Sequence, residues 1–183
     1  MDILFLTEGT DAPASRYRCE QFFPHFEKRG ITCDLAGAYG ELYNRVFDTA
    51  VGPLYKLATR AKRGARTALV GDYDLVFAQR LALPQTALPE VTASLRRPLI
   101  LDFDDAFFLQ PDGSPNRLRE RAFRTAVDWA SRVVAGNEYL ADWADAAHKT
   151  EVIPTVIDTD KSRPPPVRSL EPPTVIGWMG TAS

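Results

Sequence analysis

The stretch Leu99-Ile100-Leu101-Asp102-Phe103-Asp104-Asp105-Ala106-Phe107, led in by Arg97-Pro98, restricts the fold more than any other. It opens apolar on successive rather than alternate positions, the habit of a strand buried on both faces of a parallel sheet. It then turns acidic at its carboxyl end. In open α/β sheets that end faces the ligand crevice, so three carboxylates there are expected to meet a substrate. The plainer reading is a helix-capping aspartate and two solvated acids. Asp102 weighs against it, because an acid inside an apolar strand costs free energy unless it is paired.

Similar apolar runs recur along the chain. Asp2–Thr7 is expected to be a central strand, leading into a loop over Glu8–Ala14 rich in turn formers. Ser15 is placed to cap a helix running to about Arg29 and closed by Gly30, with Pro24 kinking or breaking it. Ile31–Ala36, Tyr73–Ala78, Arg132–Ala135 and Lys149–Ile153 complete a set of six strands with the acidic run. Between them the spacing predicts an amphipathic helix within Gly40–Val70, interrupted near Pro53, and a short helix within Pro84–Leu95. Two more are predicted, one capped by Asn116 and running to about Ser131, the other running from Gly136-Asn137-Glu138 to about His148. This alternation reads as an α/β fold: a Rossmann-like open, mainly parallel sheet with helices on both faces. Lys161–Pro173, with Pro164, Pro165, Pro166, Pro172 and Pro173, reads as a semi-rigid linker. Thr174–Thr181 starts a new apolar strand, the first of another domain, so the domains are expected at 1–160 and from 174.

A net charge of -2 argues against a dedicated nucleic-acid binder. Cys19 and Cys33 lack metal-ligand spacing; a single disulfide stays open, and buried free thiols in a reducing cytosol are the preferred reading. No run reaches membrane-span length and no signal peptide is visible, so a cytoplasmic protein is expected. Lys56, Arg60, Lys62, Arg63 and Arg66 stand together with no acid between Asp48 and Asp72. They read as a solvated helix face or as a patch for anionic lipid at the inner face of a membrane.

The residues just past the strand ends form one constellation: Ser15, Arg16 and Arg18; Gln79 and Arg80; Asp104 and Asp105; Asn137 and Glu138; Thr155 and Asp158. Arginines beside carboxylates in a crevice suit a polar, partly anionic ligand. There is no GxGxxG and no GxxxxGK[ST], so a full dinucleotide or NTP site is not supported. Neither His25 nor His148 sits at a strand end, which leaves nucleophilic hydrolysis without a base.

Five of these strand ends, with Ile176–Gly180, carry a family resemblance. Ser15-Arg16-Tyr17-Arg18, Asp74–Arg80, Leu101–Ala106, Val134–Leu140, Ile153–Asp158 and Ile176–Gly180, taken in order, resemble the amino-terminal half of a family-4 glycosyltransferase of the GT-B fold. In that family two Rossmann-like domains face each other, the first holding the acceptor and the second a nucleotide-activated sugar. The resemblance therefore implies an acceptor-binding domain plus the first strand of a donor domain, inactive alone. It implies transfer of a hexosyl group to a glycan or lipid-linked acceptor, with retention, in polysaccharide or cell-wall biosynthesis. No cofactor or metal is implied, the nucleotide-sugar being a co-substrate. By the resemblance Asp104 takes the place where relatives often carry a histidine lining the acceptor pocket, and can accept the acceptor hydroxyl proton or hydrogen-bond the transferring sugar. Desolvation on closure would raise its pKa and a neighbouring Arg16 or Arg80 would oppose that. Ser15, Arg16, Arg18, Arg80, Asp102, Asp105, Asn137 and Glu138 are expected to bind acceptor. Gly180 and Thr181 are expected to offer backbone N–H groups to the donor diphosphate.

Two other readings stand beside this one. Asp102-Phe103-Asp104 has the DxD spacing of magnesium-dependent phosphatases, whose first aspartate is the nucleophile, although Ala106 departs from their pattern. A non-catalytic module that binds a glycan or a protein partner is the other.

Overall fold

The computed structural model describes residues 1–9, 12–39, 49, 51–68, 70–81, 83, 85–110 and 112–163. Among the described residues there are six strands: β1 (Asp2–Gly9), β2 (Thr32–Tyr39), β3 (Leu75–Gln79), β4 (Leu99–Phe103), β5 (Arg132–Ala135) and β6 (Thr150–Val152). They form one sheet in the order β2-β1-β3-β4-β5-β6, and every pairing is parallel. The helices are α1 (Pro13–Arg18), α2 (Phe23–Glu27), α3 (Gly52–Ala68), α4 (Leu88–Ser94), α5 (Arg117–Trp129) and α6 (Glu138–Ala144). The Rossmann-like α/β expectation is met.

The two sheet faces are covered unequally. On one, Leu4, Leu6, Val76, Leu101, Phe103 and Val133 pack with Ala93 of α4, Phe123 and Val127 of α5, and Leu140 of α6. Phe123 meets Phe103 edge-on at 4.9 Å between ring centres. The other core is smaller, with Ile3, Phe5 and Cys19 buried and Phe23, Phe26, Leu75 and Phe77 packed on them. Phe5 stands at its centre, 4.8 Å from Phe23 and 5.1 Å from Phe77. Among the described residues this second layer is α1, a single 3-10 turn (Glu20–Phe22) and α2.

Several local expectations are corrected. The helix assigned to Ser15–Arg29 begins at Pro13, with Ala12 at the N-cap position, so Ser15 lies inside the first turn and caps nothing. Proline is pre-organised for that first turn and displaces the start upstream. The helix also breaks at Cys19, before Pro24, because a proline there has no N–H and its ring clashes with the carbonyl four residues back. Pro24 instead opens α2. Pro53 likewise lies in the opening turn of α3 instead of interrupting it. The helix expected to reach His148 ends at Ala144, since Asp145 turns left-handed at φ 50°. β1 runs on through Glu8 to Gly9, which pairs with Tyr39, so Glu8 belongs to a strand end and not a loop. Both cysteines are free; Cys19 is buried and Cys33 only partly so.

Asn116 and Asn137 cap α5 and α6 as their positions predict, accepting from Arg119 N at 3.2 Å and Leu140 N at 2.9 Å. The Lys149 ammonium closes the other end of α5, donating to the Val127 and Ala130 carbonyls at 2.7 and 2.9 Å. Among the described residues, no helix is long and apolar enough to cross a membrane. The linker beyond Arg163, the strand expected at Thr174–Thr181, and Gly180 and Thr181 lie outside the described residues, as do the side chains of Lys56, Arg60 and Arg63.

Candidate functional site at the strand carboxyl ends

The strand order reverses direction between β1 and β3. In a doubly wound sheet the crevice outside the carboxyl ends at that point is where ligands bind. The residues that emerge there are Glu8 at the end of β1 and Arg80 directly after β3. Arg80 Nη1 donates to Glu8 Oε2 at 3.1 Å, spanning the reversal. The same guanidinium is ion-paired with Asp105, and its Nε lies 3.7 Å from Asp104 Oδ1. One arginine thus holds three carboxylates from two strand ends.

Arg80 adopts a left-handed backbone, φ 61°. For a residue with a Cβ this costs about 1–2 kcal/mol. Its backbone N–H donates to Asp102 O at 2.7 Å, which fixes the turn against β4. Pairs between partly exposed groups contribute about 0–1 kcal/mol each. The cluster therefore adds little net stability while a strained backbone is kept at the strand ends, the pattern found at binding sites.

Asp104 is half-buried, and its Oδ1 has no hydrogen-bond partner among the described residues. Gly136 holds it from behind. A Cβ on Gly136 would fall 3.0 Å from Asp104 Cα, and the Gly136 N–H donates to Phe103 O at 2.9 Å. Absence of a side chain at the end of β5 is what lets the two strand ends close.

Beneath α1 lies a second polar group, turned inward. Arg18 Nε donates to Asp102 Oδ2 at 3.1 Å and Nη2 pairs with Oδ1, at 4% and 1% side-chain exposure. Nη1 donates to Ile153 O at 2.6 Å and Thr155 Oγ1 at 3.4 Å. Burial pushes the Asp102 carboxyl up to about 6, with the Arg18 hydrogen bond and charge opposing it. Burial also works to lower the Arg18 guanidinium, but the hydrogen bond and charge of Asp102 outweigh it and raise the group. The partner that the buried acid demands is therefore Arg18. With both oxygens engaged and the residue enclosed, Asp102 cannot attack a phosphoester, which removes the phosphatase alternative.

The structure thus brings Arg80, Asp104 and Asp105 together and sets Arg18 with Asp102 in a buried layer below. Ser15 joins that layer, enclosed, its Oγ without a hydrogen-bond partner among the described residues. Arg16 stands apart: it is exposed, 6.0 Å from the Tyr17 ring, and borders a shallow hollow with Asp158 and Lys161. Asn137 spends its side-chain oxygen on the α6 cap, and Glu138 is exposed in the first turn of that helix. Two further residues shape the site without having been singled out for it by their sequence positions. Glu8 lies at the end of an apolar strand, a signal of the same kind as Asp104, and Gly136 directly follows β5. Gln79, expected in the constellation, is 1% exposed with neither amide atom hydrogen-bonded among the described residues.

No known protein family matches the chain, and no curated protein does. The solved structure of Alr3699/HepE from Anabaena in complex with UDP-glucose is similar to it, with TM-score 0.53 and 20% identity over 87% of this chain. What the two share is the fold. The chain spans 45% of HepE's length. The complex of HepE with UDP aligns over the same shares with TM-score 0.45.

Proposed function

We propose that this chain is the acceptor-side half of a family-4, GT-B glycosyltransferase that moves a sugar from a nucleotide-sugar to a glycan or lipid-linked acceptor. The observation that carries it is the Arg80 cluster: a strained arginine holding Glu8, Asp104 and Asp105 at the reversal of strand order. Likeness to a protein solved with UDP-glucose, at just under half its length, supports the same reading.

In this reading Asp104 faces the acceptor. The carboxylate accepts the proton of an attacking hydroxyl through the oxygen other than the enclosed Oδ1, while Arg80, its Nε 3.7 Å from Oδ1, orients the group. With retention of configuration, the leaving diphosphate shares in that deprotonation. Arg80 and Asp105 also offer a donor and an acceptor to sugar hydroxyls. Gly180 and Thr181 supply N–H groups to the diphosphate, and no metal takes part. The basic side of α3, with Lys56, Arg60, Lys62, Arg63 and Arg66, rests on anionic lipid in this reading.

The test supplies the chain with a donor-binding domain, fused or in trans, and follows radiolabel from UDP-glucose into glycan and lipid fractions. Asp104→Ala is expected to lower transfer by about 10²–10⁴, the usual weight of a general base. Undiminished transfer by that variant removes Asp104 from the mechanism. Glycan binding without turnover in the completed protein makes the chain a binding module instead.

A further inference from the structure

A cavity of about 200 Å³ lies beside the Arg18–Asp102 pair, and neither Arg80 nor Asp104 lines it. The α1–α2 layer packs on β1 and β3 through Phe5, Phe23 and Phe77. Phe77 of β3 and Val134 of β5 line the hollow from the sheet, the latter in register with Asp102 of β4. Phe22 and Phe26 line it from the overlying layer, and the half-exposed Ile153 stands at its rim.

We propose that this cavity binds a neutral, flat, apolar group of benzene to indole size. Apolar cavities of about 150 Å³ admit benzene, so this one is large enough. Its polar wall is already largely committed. Both Asp102 oxygens accept from Arg18, and two further Arg18 N–H groups go to Ile153 O and Thr155 Oγ1. An ionic group entering here is stripped of water beside two charges that already neutralise each other, a heavy penalty that a neutral guest escapes. The flat faces of the guanidinium and of the phenylalanine rings instead favour an aromatic guest.

The cavity also has a direction. Asp102 precedes Asp104 by two residues along the same chain, so a guest seated on Asp102 lies one short linkage from the proposed base. Resting on the transferase reading, this makes the guest the aryl or compact apolar aglycone end of the acceptor. Binding itself does not depend on that reading.

The experiment titrates the chain with indole and toluene, and with benzoate as the charged counterpart, following the Val134 and Ile153 methyl resonances and the melting temperature. Indole and toluene are expected to shift both methyls and raise the melting point, and benzoate to do neither. Val134→Phe fills the floor. Ile153→Trp closes the rim at a half-exposed position where folding is not at stake. Each is expected to weaken indole binding about tenfold or more, equivalent to about 1.4 kcal/mol. Unmoved methyls, equal binding of benzoate, or unchanged affinity in Ile153→Trp overturns the proposal. Failure of sugar transfer in the completed protein leaves these outcomes unaffected, so the two readings fail separately.

Discussion

Replacing Gly136 by alanine tests whether the tips of β4 and β5 are held together by a missing side chain. The added methyl would lie 3.0 Å from Asp104 Cα, 3.2 Å from Asp104 Cβ and 3.6 Å from Phe103 O. Carbon atoms in ordinary contact sit about 3.5–4.0 Å apart, so the strand tips must part by roughly half an ångström. Overpacking of this kind costs about 1–3 kcal/mol. Against it, alanine restricts the unfolded chain and contributes about 0.4–1 kcal/mol of stability. The net expectation for Gly136→Ala is a loss of roughly 0.5–2 kcal/mol, with Asp104 pushed from its place beside Arg80. Gly64→Ala is the control, because a Cβ at Gly64 in α3 meets nothing within 4 Å. There the same change is expected to stabilise by about 0.8–1 kcal/mol, the helix preference alone. Urea denaturation reads both, and with an m-value of about 2 kcal/mol/M the two variants move in opposite directions by about 0.3–1 M. Equal and same-signed shifts would refute the close-approach argument.

Three other outcomes are expected. The folded-state pKa of Asp102 lies near 6, above its unfolded 3.8, so the folded chain holds a proton that the unfolded one releases between those values. Its contribution to stability is complete below about pH 4 and is lost as pH rises through about 6; a carboxyl carbon titration should show that midpoint, and wild type should lose stability relative to Asp102→Asn across the window. Arg80→Gly relieves the left-handed backbone and removes three ion pairs, so folding stability by urea melts should change by less than about 1 kcal/mol, while under the proposed function radiolabel transfer by the completed protein is lost. Asn137→Ala removes the α6 cap and should cost about 1 kcal/mol by the same melts, with Asn137→Ser restoring most of it.

The strands were legible because each is a short apolar run that ends in polar residues, and the parallel habit comes from burial on both faces. Their order was not, since pairing β3 with β1 rather than β2 is decided by contacts far apart in the chain. Asp102 announced that it needs a partner, but that partner is 84 residues away, and nothing local to Arg18 marks it as buried. Arg80 was legible as an arginine at a strand end; its positive φ was not, because sequence pattern says nothing about a single strained dihedral. Arg16 shows the converse. Two residues from Arg18 on one short helix, it points to another surface, and the cap of α1 lies at Ala12, three residues earlier than the expected Ser15.

The guanidinium of Arg18 has a mechanical consequence. It grips the carbonyl of Ile153 and the hydroxyl of Thr155, and Gln21 takes the Val156 carbonyl at 2.8 Å, so the chain leaving β6 is lashed to the first helical layer before it is released. Any tug along that exit travels through one side chain to the tip of β4, two residues short of Asp104. The turn at 158–161, where the Asp160 and Lys161 N–H groups donate to Asp158 Oδ1, thus follows a segment tied to the same strand that carries the acid.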